Sequence, residues 1–349
     1  MSKIVTEQPA DPRVAALAHL GWSTFFESQV TASEAELEPR RIATVHRTRL
    51  TGLSPAGPVK LTSASVINTG LFAVGDWVLV EPQTEALVRG LTRRTVMERH
   101  VAGTGGKQLA AANVDTLFIV TSHNADFNLD RLERYLALAI QGGIEPVILL
   151  TKGDTTADTE LQRNQAADLQ RGLTVLTLDP RSTGAIEMLA YWCGPGKTVA
   201  VVGSSGVGKS TLVNTLTGPD REQSQATGGV RSHDDKGRHT TTARSLHAIA
   251  GGGWVIDTPG MRTLNVGDTA HGLDVLFAEI TELAPLCKYS DCTHNHEPGC
   301  AVRAAVAAGT LDAERLARWR VLVDEDLGNT AVLTGPKGNR VPAARSRRR

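Results

Sequence analysis

The sequence predicts a multidomain α/β protein with an N-terminal β-barrel, a doubly wound α/β domain and a C-terminal helical domain. Three patterns predict this arrangement. Short runs rich in Val, Thr and Ile, separated by Gly and Pro, fill residues 40–100; strand and helix patterns alternate from about residue 114 to 267; and helical patterns surround three cysteines near the C-terminus. With 349 residues, 41% of them hydrophobic, the chain is long enough for two or three domains with sizeable cores.

The basic residues are clustered, although 37 basic and 37 acidic residues give a net charge of zero. No Asp or Glu lies between Glu38 and Asp76, and none follows Asn329. Each cluster alone is explained equally well as solvated surface or a frayed terminus, but together they favour a polyanion partner. The clustered residues are Arg40, Arg41, Arg47, Arg49 and Lys60; Arg89, Arg93, Arg94, Arg99 and Lys107; and Lys337, Arg340, Arg345, Arg347, Arg348 and Arg349.

The chain has no signal-peptide pattern and no apolar run of membrane-spanning length, so we expect a cytoplasmic protein with no membrane partner. In that compartment the four cysteines are expected to be reduced thiols or metal ligands and not disulfides.

The N-terminal third is predicted to contain two regions. Residues 1–35 form a helical extension, because "VAALAHLGWSTFFESQV" has the pattern of a short amphipathic helix. Residues 36–108 form a small all-β barrel, built from the runs "RIATVHRTRL", "PVKLTSASVI", "DWVLVEP" and "EALVRGL".

Residues 109–268 are predicted to form the doubly wound domain. The buried strands "DTLFIVTS", "PVILLT", "LTVLTL" and "TVAVVG" alternate with the helices "LDRLERYLALAI", "TELQRNQAADLQRG" and "TGAIEMLAYW", and "ARSLHAIA" and "GWVIDTPG" add two strands. Residues 269–334 are predicted to be helical, with "GLDVLFAEITELA" and "LDAERLARWRVLVDED" as helices, and residues 335–349 to be a basic disordered tail.

The segment "GSSGVGKST" has the pattern of a phosphate-binding loop between a strand and a helix. Its glycines let backbone N–H groups face phosphate oxygens, and the helix N-terminus adds partial positive charge. Lys209 is expected to span the β- and γ-phosphates and Ser210 to ligate Mg²⁺. A chance Gly-rich turn is the alternative, which the strand–loop–helix context disfavours. The predicted phosphate-binding residues are Gly203, Ser204, Ser205, Gly206, Val207, Gly208, Lys209, Ser210 and Thr211.

The segment "TKGD" follows a buried strand and predicts guanine recognition by Thr151, Lys152, Gly153 and Asp154. The two carboxylate oxygens of Asp154 match the N1–H and N2 amino group of guanine, whereas adenine would leave a buried carboxylate unpaired. The stem of Lys152 can lie across the purine. Alone this motif is weak, and a surface turn is the alternative.

Two further segments support a nucleotide site. "DTPG" places Asp257 where it can hold Mg²⁺ through water and Gly260 where its N–H can contact the γ-phosphate, and "GRHTTT" offers a threonine that can complete the Mg²⁺ shell. Among Thr240, Thr241 and Thr242 we choose Thr241. The order is guanine motif, phosphate loop, threonine, Asp-x-x-Gly, which is the usual order of a small G protein rotated, as circular permutation allows.

These motifs together resemble the RsgA family of circularly permuted, ribosome small-subunit-dependent GTPases, also known as YjeQ or YloQ. The resemblance covers nearly the whole chain and includes "AANVDTLFIVTS" and the Cys/His segment. It implies that the barrel is an OB-fold and that the protein contacts the small ribosomal subunit and its rRNA and acts late in maturation of that subunit. It implies hydrolysis stimulated by the subunit. The motifs themselves predict binding of GTP and GDP, and we expect a monomer. Many relatives have Asn where Thr151 stands, which puts affinity for the base in question.

The hydrolytic residue is not fixed by a motif. Ras-like enzymes place Gln after Asp-x-x-Gly, but Met261 stands there and cannot orient water, so slow unaided turnover is expected. His239 is the nearest polar candidate for orienting the water, with a solvated loop residue or an RNA contact as alternatives.

Cys287, Cys292, His294 and Cys300 form a Cys-x4-Cys-x-His-x5-Cys pattern that predicts one structural Zn²⁺. Four protein ligands leave no open position for a reactive water. Reduced cysteines in a helical hairpin are the alternative, and His296 is the rival ligand, which the family pattern disfavours. Cys193 is expected to be a core residue.

Two other functions compete with a ribosome-dependent GTPase. A non-catalytic RNA-binding module could keep GTP as a structural ligand, but Lys209, Ser210 and Asp257 are all present. A P-loop ATPase or kinase is opposed by Asp154.

Overall fold

A computed structural model describes residues 12–63, 68–100, 107–124, 126–155, 159–218, 244–257, 267–329, 333–334 and 340–341. The helices in these ranges are α1 (Pro12–His19), α2 (Thr24–Glu27), α3 (Leu129–Gln141), α4 (Thr159–Ala167), α5 (Gly184–Cys193), α6 (Lys209–Thr217), α7 (Ala270–Leu276), α8 (Ala278–Leu283), α9 (Ala301–Ala307) and α10 (Ala313–Asn329).

The strands in these ranges are β1 (Glu38–Val45), β2 (Leu50–Ser54), β3 (Gly57–Lys60), β4 (Trp77–Glu81), β5 (Ala86–Gly90), β6 (Val96–His100), β7 (Lys107–Ala112), β8 (Thr116–Ser122), β9 (Glu145–Thr151), β10 (Thr174–Thr177), β11 (Thr198–Gly203), β12 (Ser245–Ala248), β13 (Trp254–Asp257), β14 (Leu333–Thr334) and β15 (Arg340–Val341). β6 pairs with β7 and β14 with β15 as separate two-stranded sheets.

The chain divides into two compact units. The first contains Met1–Met97, Leu109–Leu129 and Gly142–Thr263, and the second contains Glu98–Gln108, Asp130–Gln141 and Leu264–Arg349. Most of α3 therefore groups with the C-terminal helices, although its sequence lies between two strands of the first unit.

The main sheet of the first unit has the order β10-β9-β8-β11-β13-β12 at its α/β end. The first five strands in this order are parallel, and β12 is antiparallel to β13. From β8 the chain proceeds to β9 on one side, and from β11 it proceeds towards β13 on the other. The strand order therefore reverses between β8 and β11, which is where doubly wound folds bind ligands at the carboxyl ends of strands. The predicted doubly wound arrangement is confirmed.

The barrel strands continue this sheet. β1 pairs antiparallel with β2 and β4, β2 with β3, and β4 with β5, while Thr44 of β1 pairs with Ser245 of β12. The interior of the barrel contains Ile42, Leu50 and Val78 among its fully buried side chains. Hydrogen bonds thus join the barrel directly to the α/β sheet.

A buried arginine reinforces this junction. Arg41 on β1 is 1% exposed, and its guanidinium donates to the carbonyl of Leu20 at 2.6 Å and to Oγ1 of Thr198 at 2.7 Å. Burial lowers its pKa to about 10, so the side chain remains a cation at neutral pH. Because Thr198 begins β11, one cation ties the N-terminal extension and the barrel to the strand that leads into the phosphate loop.

Two segments predicted as single helices are each divided in two. α1 ends at His19, and Gly21 has a φ of 92°, outside the helical region, before α2 begins. This turn allows Leu17 and Phe26 to pack in one cluster with Trp77 of the barrel. Phe277 separates α7 from α8 with φ −112° and ψ 44°.

The second unit contains a buried ion network. The carboxylate of Glu133 on α3 is fully buried and accepts hydrogen bonds from Arg315 at 2.6 Å and Arg318 at 3.0 Å, both on α10. Arg315 also lies 4.1 Å from the centroid of the Phe277 ring. Removing one partner would leave an uncompensated buried charge, which typically costs about 3–5 kcal/mol. In the part of the chain described, no helix is both long and apolar enough to cross a membrane.

Candidate functional site: a nucleotide edge and a Cys/His cluster

The predicted phosphate loop lies between β11 and α6, at the reversal of strand order. Gly203 has a φ of 139°, and a Cβ there would lie 2.0 Å from the carbonyl oxygen of Val120 on β8, so only glycine fits. Gly208 caps α6 with a φ of 103°. Val207 between them is fully buried in the core beneath the sheet. The loop is therefore anchored by its valine, while its glycines keep the backbone close to the strand.

The polar side chains of the phosphate loop are more exposed to solvent than Val207. Ser205 and Ser210 are exposed, and Ser204, Lys209 and Thr211 are half-buried. The ammonium of Lys209 donates a hydrogen bond to the carbonyl of Ser204 within the loop. The loop thus has the strand–glycine–helix geometry that presents backbone N–H groups and a lysine to phosphate.

The predicted guanine-recognition segment, residues 151–154, lies beside this loop. Thr151 is fully buried, and its hydroxyl lies 2.7 Å from the carbonyl oxygen of Val207 and 3.2 Å from that of Thr121. Its short side chain therefore reaches the phosphate loop across 56 residues of sequence. Gly153 begins a 3-10 turn, Lys152 has a φ of 57°, and Asp154 is exposed.

A third loop, residues 178–182, packs against the end of the predicted phosphate loop and against α6, and sequence reasoning did not identify it. Its Pro180 is buried, lies 3.1 Å from where a Cβ of Gly208 would be, and accepts a hydrogen bond from Thr215 of α6 at 2.7 Å. Arg181 forms an ion pair with Asp179 at 3.0 Å. The residue types form no motif, and the only sequence signal is their position immediately after β10.

Asp257 ends β13 at the same edge of the sheet. Its register partners are Val201 on β11, two residues before Gly203, and Ser245 on β12. The predicted contributions of Gly260, Thr241 and His239 lie outside the described residues. The described part of the predicted site is thus brought together at one edge: residues 151–154, residues 203–211 and Asp257.

The four predicted metal ligands also come together, in the second unit. One donor atom from each of Cys287, Cys292, His294 and Cys300 lies within 4.8 Å of the others. The sulfurs of Cys287 and Cys300 are 3.8 Å apart, and Nδ1 of His294 is 3.5 Å and 3.4 Å from them. A tetrahedral Zn²⁺ with bonds of about 2.3 Å to sulfur and about 2.0 Å to nitrogen requires separations of about 3.8 Å and about 3.5 Å. The donor set therefore fits zinc, and the rival ligand His296 is exposed.

The electrostatics of the cluster also fit a cation. Burial opposes ionisation of Cys287, but hydrogen bonds from the backbone N–H groups of Ala301 and Val302 outweigh it and lower the pKa of this thiol. Burial, together with the neighbouring sulfurs, raises the pKa of Cys292 to about 12. Burial lowers the pKa of His294 and keeps its ring neutral, as a metal ligand must be. A bound cation would remove the conflict between crowded thiolates.

Hydrogen bonds hold the loop around the cluster. The carboxylate of Glu297 accepts from the hydroxyl of Thr293 and from the backbone N–H groups of Thr293, Asn295 and His296. The hydroxyl of Thr293 is the largest cause that lowers the pKa of Glu297 far below the usual range, and backbone N–H groups add to it. Arg320 of α10 donates to the carbonyl of His294, whose ring packs 5.5 Å from that of Trp319. These contacts hold the imidazole in place, with His294 itself at a φ of 61°.

Comparisons with known proteins agree with this architecture. A family model described as RsgA GTPase matches residues 90–267. The chain is 66% identical over 334 residues to the small ribosomal subunit biogenesis GTPase RsgA of Mesorhizobium japonicum, with 96% of each chain covered. It is 46% identical over 321 residues to the small ribosomal subunit biogenesis GTPase RsgA 2 of Vibrio vulnificus, covering 90% of this chain and 89% of the relative.

Two solved structures share the fold. YloQ, described as a circularly permuted GTPase, matches with a TM-score of 0.59 and 23% identity over 84% of this chain and 96% of its own. YjeQ from Thermotoga maritima matches with a TM-score of 0.57 and 23% identity over 84% and 99%. The family match, the full-length relatives and the circularly permuted fold agree, and the chain belongs to the RsgA GTPase family.

Proposed function

We propose that this protein binds GTP at the carboxyl edge of its main sheet and hydrolyses it during maturation of the small ribosomal subunit. One observation carries the nucleotide part: the hydroxyl of Thr151 lies 2.7 Å from the carbonyl of Val207, which joins the guanine-recognition segment to the phosphate loop. The RsgA relatives are named as small ribosomal subunit biogenesis GTPases, which supports the biological part.

The roles of the nucleotide-binding residues follow from their chemistry. Backbone N–H groups of residues 203–211 and the ammonium of Lys209 bind the phosphates, and the carboxylate of Asp154 accepts from N1–H and the amino group of guanine. Ser210 and Asp257 are the described candidates for holding Mg²⁺, which supplies charge neutralisation at the β- and γ-phosphates. From the sequence pattern alone, Thr241 is proposed to complete the Mg²⁺ shell and the N–H of Gly260 to contact the γ-phosphate.

Hydrolysis needs a group that orients water. Met261 cannot do so, and His239 is the proposed substitute, whose imidazole can orient water or accept a proton. The absence of a glutamine at position 261 predicts slow turnover by the free protein. We propose that docking on the small subunit brings the segment containing His239 and Thr241 into its productive arrangement and that hydrolysis then favours release.

The Cys/His cluster is proposed to hold one structural Zn²⁺ through Cys287, Cys292, His294 and Cys300. The metal would supply the folding energy of a loop that has little core of its own, and it would take no part in hydrolysis, because all four positions are filled by protein.

The partner is proposed to be the rRNA of the small subunit, bound by a cytoplasmic monomer. The barrel, residues 36–108, and the metal-binding domain, residues 269–334, flank the GTPase domain, residues 109–268, in sequence, and basic clusters lie in the barrel and the C-terminal tail. Phosphate contacts make such binding steeply dependent on salt.

Co-sedimentation tests this proposal. The full chain is mixed with purified small or large subunits, in a non-hydrolysable GTP analogue or in GDP, across a salt series. The proposal requires a preference for small subunits and for the GTP analogue, and affinity that falls as salt rises. Equal binding with both nucleotides, or a preference for large subunits, contradicts it.

A further inference from the structure

We propose that His123 is a positioning residue for guanine recognition: its buried ring supports the turn that carries Asp154. This inference rests on the proposed role of Asp154. His123 belongs to none of the motifs described above. It immediately follows β8, and the residues after it have no nucleotide-binding pattern.

The ring of His123 is fully buried and hydrogen-bonded on both sides. Nδ1 lies 2.7 Å from Oε1 of Gln162 on α4, and Nε2 lies 3.4 Å from Oγ1 of Thr177 at the end of β10. With the amide oxygen of Gln162 as acceptor, Nδ1 carries the proton and Nε2 accepts from the threonine hydroxyl. A buried imidazole with both nitrogens partnered has a fixed orientation.

The same residue contacts the guanine-recognition segment directly. Its backbone N–H donates to the carbonyl of Thr151 at 2.9 Å, which extends the pairing of β8 with β9. A Cβ on Gly153 would lie 3.4 Å from Cγ2 of Thr177, 3.7 Å from Cγ2 of Thr159 and 3.8 Å from Cδ2 of the His123 ring. Gly153 therefore lies over a floor formed by the imidazole and the two threonines, and Asp154 is the next residue.

This floor bears on base choice because Asp154 is exposed and lies in a single 3-10 turn. Its carboxylate must meet N1–H and the N2 amino group of guanine at once, which requires a fixed backbone beneath it. The hydroxyl of Thr151 ties the start of the segment to the phosphate loop. The His123 ring fixes the other end, where the base is recognised.

If His123 had only a structural role in the core, its replacement would lower the stability of the protein and leave the preference for guanine unchanged. The test therefore compares affinities of the full chain for fluorescent GDP and IDP, since inosine lacks the N2 amino group. His123→Ala is expected to weaken GDP binding by about threefold to tenfold, the scale of one net hydrogen bond, and to shrink the ratio of IDP to GDP dissociation constants. Turnover at saturating GTP should stay within about twofold of the parent, because a floor beneath the base-binding turn acts on binding and not on the chemical step.

Two further variants separate packing from hydrogen bonding. His123→Asn keeps a donor near the position of Nδ1 and should restore most of the IDP/GDP ratio, whereas His123→Phe fills the space without a hydrogen bond and should not. His247→Ala is the matched control. His247, on β12, is also a buried histidine, and its Nε2 lies 2.7 Å from the hydroxyl of Ser245. This variant should leave the ratio unchanged.

Asp154→Asn is measured in parallel so that two failures can be told apart. If Asp154→Asn leaves guanine preference intact, the proposed role of Asp154 is wrong, and the inference fails with it. If Asp154→Asn abolishes the preference while His123→Ala and His123→Phe keep the parent ratio, only the role of His123 is overturned. A ratio that falls equally in His247→Ala also overturns it, because the effect would then follow from any buried histidine.

Discussion

Two regions of the molecule are held in place by different forces. One is the nucleotide edge, which comprises residues 151–154, residues 203–211 and Asp257, and the other is the Cys/His loop, residues 287–300. The phosphate loop is anchored through Val207 in a cluster of buried side chains that includes Phe118, Leu149 and Leu212. In the loop from Cys287 to Cys300, all of which the structure describes, only His294 and Cys300 are buried, and both are proposed ligands. The hydrophobic effect thus preorganises the predicted nucleotide site, whereas the loop, with little core of its own, is proposed to depend on a bound metal.

Loss of a proposed metal ligand should affect the Cys/His loop and leave the nucleotide site intact. Cys300→Ala should reduce zinc from one per chain to near zero and unfold the surrounding loop, because structural zinc contributes about 10–16 kcal/mol of apparent binding energy in zinc-finger peptides. GDP affinity should change little, since the phosphate loop has its own core. Elemental analysis and GDP titration measure the two effects.

Cys193→Ala is the matched control for that variant. Cys193 is buried in the core beneath the nucleotide-binding sheet, where burial raises the pKa of its thiol to about 12, and it lies outside the cluster of four donors. Its replacement should lower stability by about 1 kcal/mol and leave zinc content at one per chain. Loss of zinc from the Cys193 variant, or its retention by the Cys300 variant, would show that the ligands are misassigned.

Acid should release the metal. The pKa of the Cys292 thiol is raised to about 12, so this group binds a proton throughout the neutral range unless a metal displaces it. Zinc affinity should therefore fall as pH falls, by about tenfold per pH unit for each proton released on binding. Competition with a chelator of known affinity between pH 8 and pH 6 measures the slope, and an affinity that is constant with pH would contradict thiolate ligation.

Base choice should change with Asp154. Asp154→Asn should weaken GDP by about 10²-fold and improve xanthosine diphosphate, because an amide N–H₂ can donate to the C2 oxygen of xanthine. Asp179→Asn is the control, since Asp179 is a nearby exposed carboxylate paired with Arg181. Competition titrations with the two nucleotides give both affinities, and equal effects of the two variants would remove Asp154 from base recognition.

Thr151 tests whether a single hydrogen bond helps to position the phosphate loop. Thr151→Val keeps the shape but leaves the carbonyl of Val207 without this donor, which should weaken GDP by about threefold to tenfold. Thr151→Ser restores the hydroxyl and should recover most of the affinity. An affinity of the valine variant equal to that of the parent would mean that the bond does not position the phosphate loop.

Local patterns in the sequence predicted the elements of the nucleotide edge and the four clustered donors, because both depend on short segments with particular residue types. They did not predict that α3 groups with the C-terminal helices, since that depends on contacts such as Glu133 with Arg315, 182 residues apart. The loop containing Pro180 was missed because backbone position, and not side-chain type, brings it to the phosphate loop. The helix break at Phe277 was also missed, because no Gly or Pro marks it, and the ring of Phe277 packs against Arg315, a contact that local patterns do not show.

We propose that the carboxyl edge of the main sheet hydrolyses GTP and does so in response to the small ribosomal subunit. The most direct measurement is phosphate release from GTP by the purified protein alone, with small subunits and with large subunits, with Lys209→Ala as the inactive control. We expect slow phosphate release by the protein alone, marked stimulation by small subunits but not by large subunits, and no release by the Lys209 variant. Stimulation by large subunits to the same extent, or no release under any condition, would contradict it.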